Sequence, residues 1–319
     1  MSSSPSAPST RSAASAPVTR FAPSPTGYLH VGHAYSARFA WAAAREAAGR
    51  FLLRIEDIDR TRCRPEFTDA VIDDLRFLGL SWDGEVRVQS EHMADYADVL
   101  STLERQGLLY PCFCTRADIA AEAQQAAAAP HDLPSPPPAA GSSSLALPQP
   151  QVGRLYPGTC RRVSADDAAE RIARGASYAL RLHSERALAQ ARELAGRPLT
   201  FADRRFGEVP VSLSHLGDVV LGRKEVRASY HVAVTLDDHR QGVTLVTRGE
   251  DLFHATHIHR VLQTLLGWHQ PEYAHHPLLT DGQGERLAKR RGSPSLRSLR
   301  QAGRSAAEIW ALAGLPPIA

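Results

Sequence analysis

Residues 20–33 read RFAPSPTGYLHVGH, and the fold follows from how this stretch is entered and left. A short apolar run, Val18 to Phe21, leads into a Pro/Gly turn. His30-Val31-Gly32-His33 then opens an apolar-periodic segment, Ala34 to Ala48, with the spacing of a helix. Strand, loop and helix in that order set two imidazoles and a glycine at a helix start. Backbone N–H groups without intrahelical partners and the positive end of the helix dipole favour an anion there, and a nucleotide phosphate would suit. Taken alone, His-x-Gly-His would more often be a helix cap than a ligand site.

Further along, Phe51-Leu52-Leu53-Arg54-Ile55 is a β-rich run ending in Glu56-Asp57-Ile58-Asp59. That is the pattern of a buried parallel strand with polar groups at its carboxyl end, where open α/β sheets form their ligand crevice, so Glu56 is expected to point into it. Pro65 to Leu80 and His92 to Gln106 have helical periodicity, with Gly79 near the end of the first and Gly107 stopping the second. The alternation predicts an α/β fold, a doubly wound parallel (Rossmann-like) sheet. It breaks at about residue 107. Leu108 to Cys114 is apolar, Ala117 to Ala129 could be helical, and residues 131–150 are a Pro/Ser/Ala run too polar to order itself. Ser164 to Gly175 reads as a short helix and Tyr178 to Leu182 as β-like. Residues 107–205 are therefore expected to form an inserted α/β subdomain with a mobile loop at 131–150. The sheet is expected to resume with Val219-Val220-Leu221, continue into Tyr230 to Val234, and add Val243 to Thr247 before a helix from Phe253 to Leu266. Residues 1–17 read as a disordered tail, 18–291 as the main domain and 292–319 as a short C-terminal extension.

The chain has 319 residues, 43% of them apolar, enough for a large core and about two domains on length alone. A net charge of +3 with no polybasic tail leaves nucleic-acid contact to local patches such as Arg204-Arg205, Arg223-Lys224 and Lys289-Arg290-Arg291. No apolar run approaches the ~20 residues of a membrane span, and the Ser/Ala/Pro-rich start lacks an export signal's apolar core. Four scattered cysteines make no disulfide framework, which favours a reducing cytoplasm.

Further signatures join the first. Arg54-Ile-Glu56-Asp57-x-Asp59-Arg60 follows it, then Tyr230-His-Val-Ala-Val-x-x-Asp237-Asp238, then Arg248-Gly-Glu-Asp251, then Arg286-Leu-Ala-Lys289-Arg290. In this order they resemble the catalytic core of class I aminoacyl-tRNA synthetases of the glutamyl branch, from about Val18 to Arg291. His30 to His33 resembles the HIGH signature and Arg286 to Arg290 a variant of the KMSKS loop. The variant has Arg286, Ala288 and Arg290 where the family has lysine, serine and serine, and it keeps the second lysine as Lys289.

The resemblance implies activation of L-glutamate by ATP with Mg2+. Glutamate carries two carboxylates and an ammonium, so its pocket needs cations and an anion. Arg20 and Arg248 can give bidentate charge-assisted bonds, Glu56 can accept from the ammonium, and Ser24 and Tyr230 can add neutral hydrogen bonds. By resemblance these five are the amino-acid contacts. His30, Gly32, His33 and Lys289 bind ATP, with His30, His33 and Lys289 stabilising charge on its phosphates.

Cys112-x-Cys114 and Tyr156-x-x-x-Cys160 flank the Pro-rich run, and three thiolates with a phenolate could close a tetrahedral zinc site. Core packing or a loose thiol cluster fits the spacing equally well. The set resembles the structural zinc site of glutamyl-Q tRNA(Asp) synthetases, a truncated branch of the family, and that favours one Zn2+. Cys63 lies outside it. His254, His257 and His259 have helical spacing and are expected to decorate a helix, since no nearby cysteine or paired carboxylate completes a metal site.

About 30 residues follow Lys289, short of the ~100 of a typical further domain. No anticodon-binding domain is expected, and the resemblance then implies that truncated branch. Its members activate glutamate without tRNA and transfer it to the wobble queuosine of tRNA(Asp), and a monomer is expected. The rivals are a conventional glutamyl-tRNA synthetase lacking its anticodon domain, which charges the 3′ end, and a non-catalytic RNA-binding or regulatory remnant.

Overall fold

The structure, a computed structural model, describes residues 16–115, 117–119, 147–148, 155–223, 228–279 and 294–318. It begins with β1 (Val18–Phe21), α1 (Val31–Arg45), β2 (Arg50–Ile55), α2 (Pro65–Phe77), the two-residue β3 (Arg87–Val88) and α3 (Met93–Arg105). β2 lies between β1 and β3 and is parallel to both, as the alternating pattern predicts. Phe51, Leu53 and Ile55 enter one core with Ala34, Ala37 and Ala40 of α1 and Val71 and Leu75 of α2, while Leu52 enters the other core with Tyr96 and Leu100 of α3. A strand buried on both faces cannot alternate polar with apolar, which is why it reads as one apolar run.

Next come β4 (Leu109–Cys112), α4 (Ala165–Ala173), β5 (Ala179–Leu182), α5 (Ser184–Ala195), β6 (Thr200–Asp203), β7 (Gly207–Pro210) and β8 (Val220–Gly222). β4, β5 and β8 form a three-stranded antiparallel sheet. The resumption of the parallel sheet expected at Val219 to Leu221 is thus corrected: that strand completes the inserted sheet. β6, which falls inside the stretch read as the insertion, pairs in parallel with a later strand of the main sheet, and β7 turns back along it as an antiparallel edge.

The remaining elements are α6 (Tyr230–Arg240), β9 (Leu245–Gly249), α7 (Ala255–Leu265), β10 (Glu272–His276), α8 (Leu296–Gln301) and α9 (Ala306–Leu312). The expected strand at Tyr230 to Val234 is the start of α6. All residues from Val232 to Asp238 are buried, so this helix has no polar face to mark its period. β9 and β10 pair in parallel, and β10 bridges to β6. The two parts of the main sheet meet where Thr244 donates its N–H to Val18 O at 3.0 Å and Val18 donates to Thr244 Oγ1 at 2.9 Å. β1 is followed outward by β2 and β3 and β9 by β10, so the order reverses between β1 and β9, the switch point at which open sheets hold ligands.

The C-terminal stretch is part of a core. Leu296, Ile309 and Trp310 are buried with α1 and α2, Trp310 Nε1 donates to Leu78 O at 3.2 Å, and Arg300 NH1 pairs with Asp74 at 2.7 Å. Emptying the Trp310 site would cost about 3–5 kcal/mol. No described helix is long and apolar enough to cross a membrane. Most of the tail, the expected helix beyond Ile119, nearly all of the 131–150 run and the loop bearing Lys289 lie outside the described residues.

Candidate active site

A cavity of about 470 Å3 opens between the carboxyl ends of β1, β2 and β9 and the start of α1. Arg20, Ser24, His30, Gly32, His33, Glu56, Tyr230 and Arg248 all line it. Of the residues singled out for the amino acid and the nucleotide, only Lys289 is not among the described residues. Gly249 ends β9 at the wall, and a Cβ there would meet Asp251 Oδ1 at 2.5 Å and Leu278 at 2.8 Å, so a larger residue would push those two side chains aside.

The two arginines differ in kind. Arg20 gives Nε to Asp238 Oδ1 at 2.9 Å, NH2 to Oδ2 at 3.4 Å and NH1 to Thr247 O at 3.0 Å. Arg54, fully buried, donates to Asp238 Oδ1 and Gln241 Oε1, both at 2.9 Å, and to Glu56 Oε1 at 3.3 Å. Burial alone would raise Asp238; Arg20 and Arg54 beside it outweigh that and hold its carboxyl below the usual range. Burial pushes Glu56 upward, opposed by Arg54 and Arg20. Asp237, behind them, accepts from Arg87 at 2.8 Å, Gln89 at 2.9 Å and Tyr96 OH at 2.8 Å. Arg20 is therefore a member of a buried ion-pair network as well as a cavity wall.

Arg248, only 6% exposed, has no carboxylate within ion-pair distance among the described residues. Its guanidinium donates NH1 to Tyr230 OH and to His259 Nδ1 at 3.3 Å each, NH2 to Thr256 Oγ1 at 2.5 Å, and Nε to His275 Nε2 at 3.2 Å. Because His275 Nε2 receives a hydrogen, the ring's own hydrogen sits on Nδ1 and is donated to Asp203 Oδ2 at 2.5 Å. Burial and the facing Arg248 keep His275 neutral despite Asp203, with its pKa lowered. His231, in contact with His259 at 3.2 Å, is lowered to about 4 by burial and by Arg248. A buried cation with neutral partners, aimed into a cavity, is a site prepared for an anion. Asp203 and His275, the positioners of Arg248, carry no local sequence signal and went unread.

At the helix start the two histidines form the cap. His30 caps α1, its Nδ1 accepting the Gly32 N–H at 3.1 Å, and His33 Nδ1 accepts the His30 N–H at 3.2 Å. An imidazole whose Nδ1 accepts carries its hydrogen on Nε2 when neutral, and that atom can donate to a phosphate oxygen.

In the insertion, Cys112, Cys114, Tyr156 and Cys160 converge. Cys114 Sγ lies 3.4 Å from Cys160 Sγ, and Tyr156 OH lies 3.5 Å from Cys112 Sγ and 3.8 Å from Cys114 Sγ. The three sulfurs can share one ion, and soft thiolates at this spacing fit zinc. Behind them the buried Asp218 accepts from Tyr110 OH at 2.5 Å, Arg161 Nε at 2.8 Å and Ser184 N at 3.0 Å, tying β4 and the Cys160 turn to α5. Cys63 stands apart, in contact with Glu56 O at 3.9 Å. The histidines at the start of and within α7 do not act alike: His259 turns to Arg248, while His254, just before the helix, and His257 meet His215 from the loop after β7.

The family model for tRNA synthetases class I (E and Q), catalytic domain, matches residues 17–309. A protein of Rhodobacter capsulatus named glutamyl-Q tRNA(Asp) synthetase is 45% identical over 300 residues, 93% of this chain and 100% of that protein. A glutamate–tRNA ligase of Hydrogenobaculum is 34% identical over 89% of this chain but only 55% of its own length. Among solved structures, the glutamate tRNA ligase of Elizabethkingia meningosepticum in complex with its amino acid superposes with a TM-score of 0.66 at 25% identity, covering 88% of this chain and 54% of that one. Since the matched span runs from the first strand into the last helix and takes in the whole described cavity, the chain belongs to the class I tRNA synthetases of the glutamate and glutamine branch, ligases that work with ATP and Mg2+.

Proposed function

We propose that this enzyme activates L-glutamate with ATP, without tRNA, and transfers it to the queuosine base at the wobble position of tRNA(Asp). The observation that carries the reading is Arg248: a buried guanidinium held by neutral groups beside Glu56 and Tyr230, in a cavity shared with the start of α1. Arg248 takes a substrate carboxylate in a two-pronged bond, with Tyr230 OH beside it. Glu56 accepts from the ammonium, and Arg20 and Ser24 complete the wall. The substrate's α-carboxylate oxygen attacks the α-phosphorus of ATP as the bond to the bridging oxygen breaks and pyrophosphate leaves. His30, Gly32 and His33 hold the phosphates at the α1 start, and Lys289 meets the charge that develops. A queuosine hydroxyl oxygen then attacks the activated carbonyl and AMP departs.

Queuosine as acceptor is supported by the 45% identical relative, which this chain covers end to end and whose name states that specificity. Cys112, Cys114, Tyr156 and Cys160 would hold one Zn2+, whose part is to clip together the two ends of the insertion. The enzyme would act in the cytoplasm as a monomer. The test gives radiolabelled glutamate, ATP and tRNA(Asp) with and without queuosine to the enzyme. Label that requires queuosine and survives removal of the 3′ end is expected. Label lost with the 3′ end and indifferent to queuosine means conventional charging, and an absence of glutamate-dependent pyrophosphate exchange means a non-catalytic remnant.

A further inference from the structure

The loop from Val211 to Gly217 crosses the start of α7, and three histidines meet there. His254 and His257, one helical turn apart, face the same side, and His215 stands between them. His254 Nδ1 and His215 Nε2 are 3.0 Å apart, and one nitrogen from each of the three rings lies within 4.8 Å of the others. His257 is buried against Phe201 and Phe253, whereas His215 and His254 are half-buried, which leaves a route in from solvent.

The hydrogen bonding of this cluster is incomplete. Two neutral imidazoles nitrogen to nitrogen can share only one hydrogen, so one of the two gives up its lone pair to the other. The far nitrogen of His254, Nε2, is buried and has no hydrogen-bond partner among the described residues. A cation between the rings would take the lone pair of each facing nitrogen, with both ring hydrogens on the far nitrogens, and so would resolve the nitrogen-to-nitrogen contact. We infer that His215, His254 and His257 form a second metal site, for a divalent transition ion that prefers imidazole, zinc first, with a fourth position left to water. The site is separate from both the Cys112 cluster and the substrate cavity, and it pins the 211–217 loop to α7.

One contact must change when the ion binds. Ser212 donates its N–H to His257 Nδ1 at 3.3 Å. If Nδ1 binds the ion, the lone pair is taken; if Nε2 does, the ring hydrogen moves to Nδ1 and confronts the amide. Either way that bond breaks and the loop shifts. The Ser212 amide is thus a reporter of occupancy distinct from metal content.

The test dialyses the full chain against zinc and counts ions per chain by mass spectrometry of the metal. The His215→Gln and His254→Gln variants are compared with it, both at half-buried positions that spare the core. Each variant is expected to hold one ion fewer and to bind Zn2+ roughly tenfold or more weakly, since loss of even an outer partner of a ligand costs 10–100-fold. His269→Gln, which breaks a separate histidine pair at 2.9 Å, is the control and should change nothing. In a Cys112→Ser/Cys160→Ser background, Co2+ should give tetrahedral visible bands without thiolate charge transfer, and the Ser212 amide signal should move on loading. Equal metal content in the unmodified chain and both histidine variants, or an unmoved Ser212 signal at saturation, overturns the proposal.

Discussion

Replacing Arg248 with glutamine separates the work of the two cavity arginines. The substitution removes a charge that no carboxylate in the surrounding described structure offsets, and it keeps a polar head for Tyr230 and Thr256. In the substrate complex the guanidinium would make two charge-assisted bonds of about 1.5–3 kcal/mol each, of which glutamine could keep one neutral bond of ~1 kcal/mol. The net loss is about 2–5 kcal/mol, and at ~1.4 kcal/mol per tenfold the KM for glutamate should rise by roughly 30- to several-thousand-fold. Folding stability should change little, because no buried anion is orphaned. Glutamate-dependent exchange of pyrophosphate into ATP, measured across glutamate concentrations, gives KM and kcat separately, and denaturant unfolding gives stability. An unchanged KM would refute the anchor. A large loss of stability with KM intact would mean that Arg248 only supports the fold.

Four other outcomes follow from the same geometry. Arg54→Leu leaves Glu56 buried without its ion-pair partner and Asp238 with Arg20 alone, so unfolding free energy should drop by about 3–5 kcal/mol; a drop below ~1 kcal/mol would contradict the network. His30→Asn keeps a good N-cap but removes the ring, so stability should stay within about 0.5 kcal/mol while kcat for exchange falls; unchanged kcat in His30→Asn, with loss confined to His30→Ala, would make His30 a cap only. Glu56 is raised by burial in the free enzyme and an ammonium favours its ionised form, so binding expels a proton and glutamate affinity should weaken as pH falls through that raised pKa; a pH-independent KM for glutamate that persists in Glu56→Gln would exclude the role. His231 is lowered to about 4, so below its ordinary value of 6.5 the unfolded chain takes up a proton that the folded chain refuses, and stability falls from about pH 6.5 toward pH 4. At pH 5 this is on the order of 2 kcal/mol relative to pH 7.5, with His275 acting in the same direction; a flat denaturant midpoint over that window would count against it.

What the sequence made legible was local. β1, α1 and β2 each combine a periodic or continuous apolar signal with its own stop, and the residues at their ends converge on the cavity wall. The failures at α6 and β8 share one cause, a partner far away in the chain. α6 read as a strand because burial all round erased its period, and its Asp237 and Asp238 are tolerable there only because Arg20, Arg54 and Arg87 arrive from β1, β2 and β3. β8 was a strand in either reading, but three residues cannot say whether their neighbours run parallel or antiparallel. The C-terminal helices did carry a signal, the Ser305-x-x-Glu308 capping box, which went unread.

The cavity itself shows why a single residue type could not be assigned one role from sequence. Arg20, Arg54 and Arg248 are all buried, and chemistry alone would let any of them bind a carboxylate. The carboxylates of α6 decide among them. Asp238 sits opposite the ends of β1 and β2 and takes both prongs of Arg20 and one of Arg54, whereas Arg248, at the end of β9, hydrogen-bonds among the described residues to the neutral Tyr230, Thr256, His259 and His275. Asp203 reaches it through the neutral ring of His275, which orients the guanidinium without cancelling its charge. A direct Asp203–Arg248 contact would have satisfied the arginine and left nothing for a ligand. The interposed imidazole is thus what makes β9 present a cation with its charge still to be matched, and the substrate carboxylate is the group that would match it.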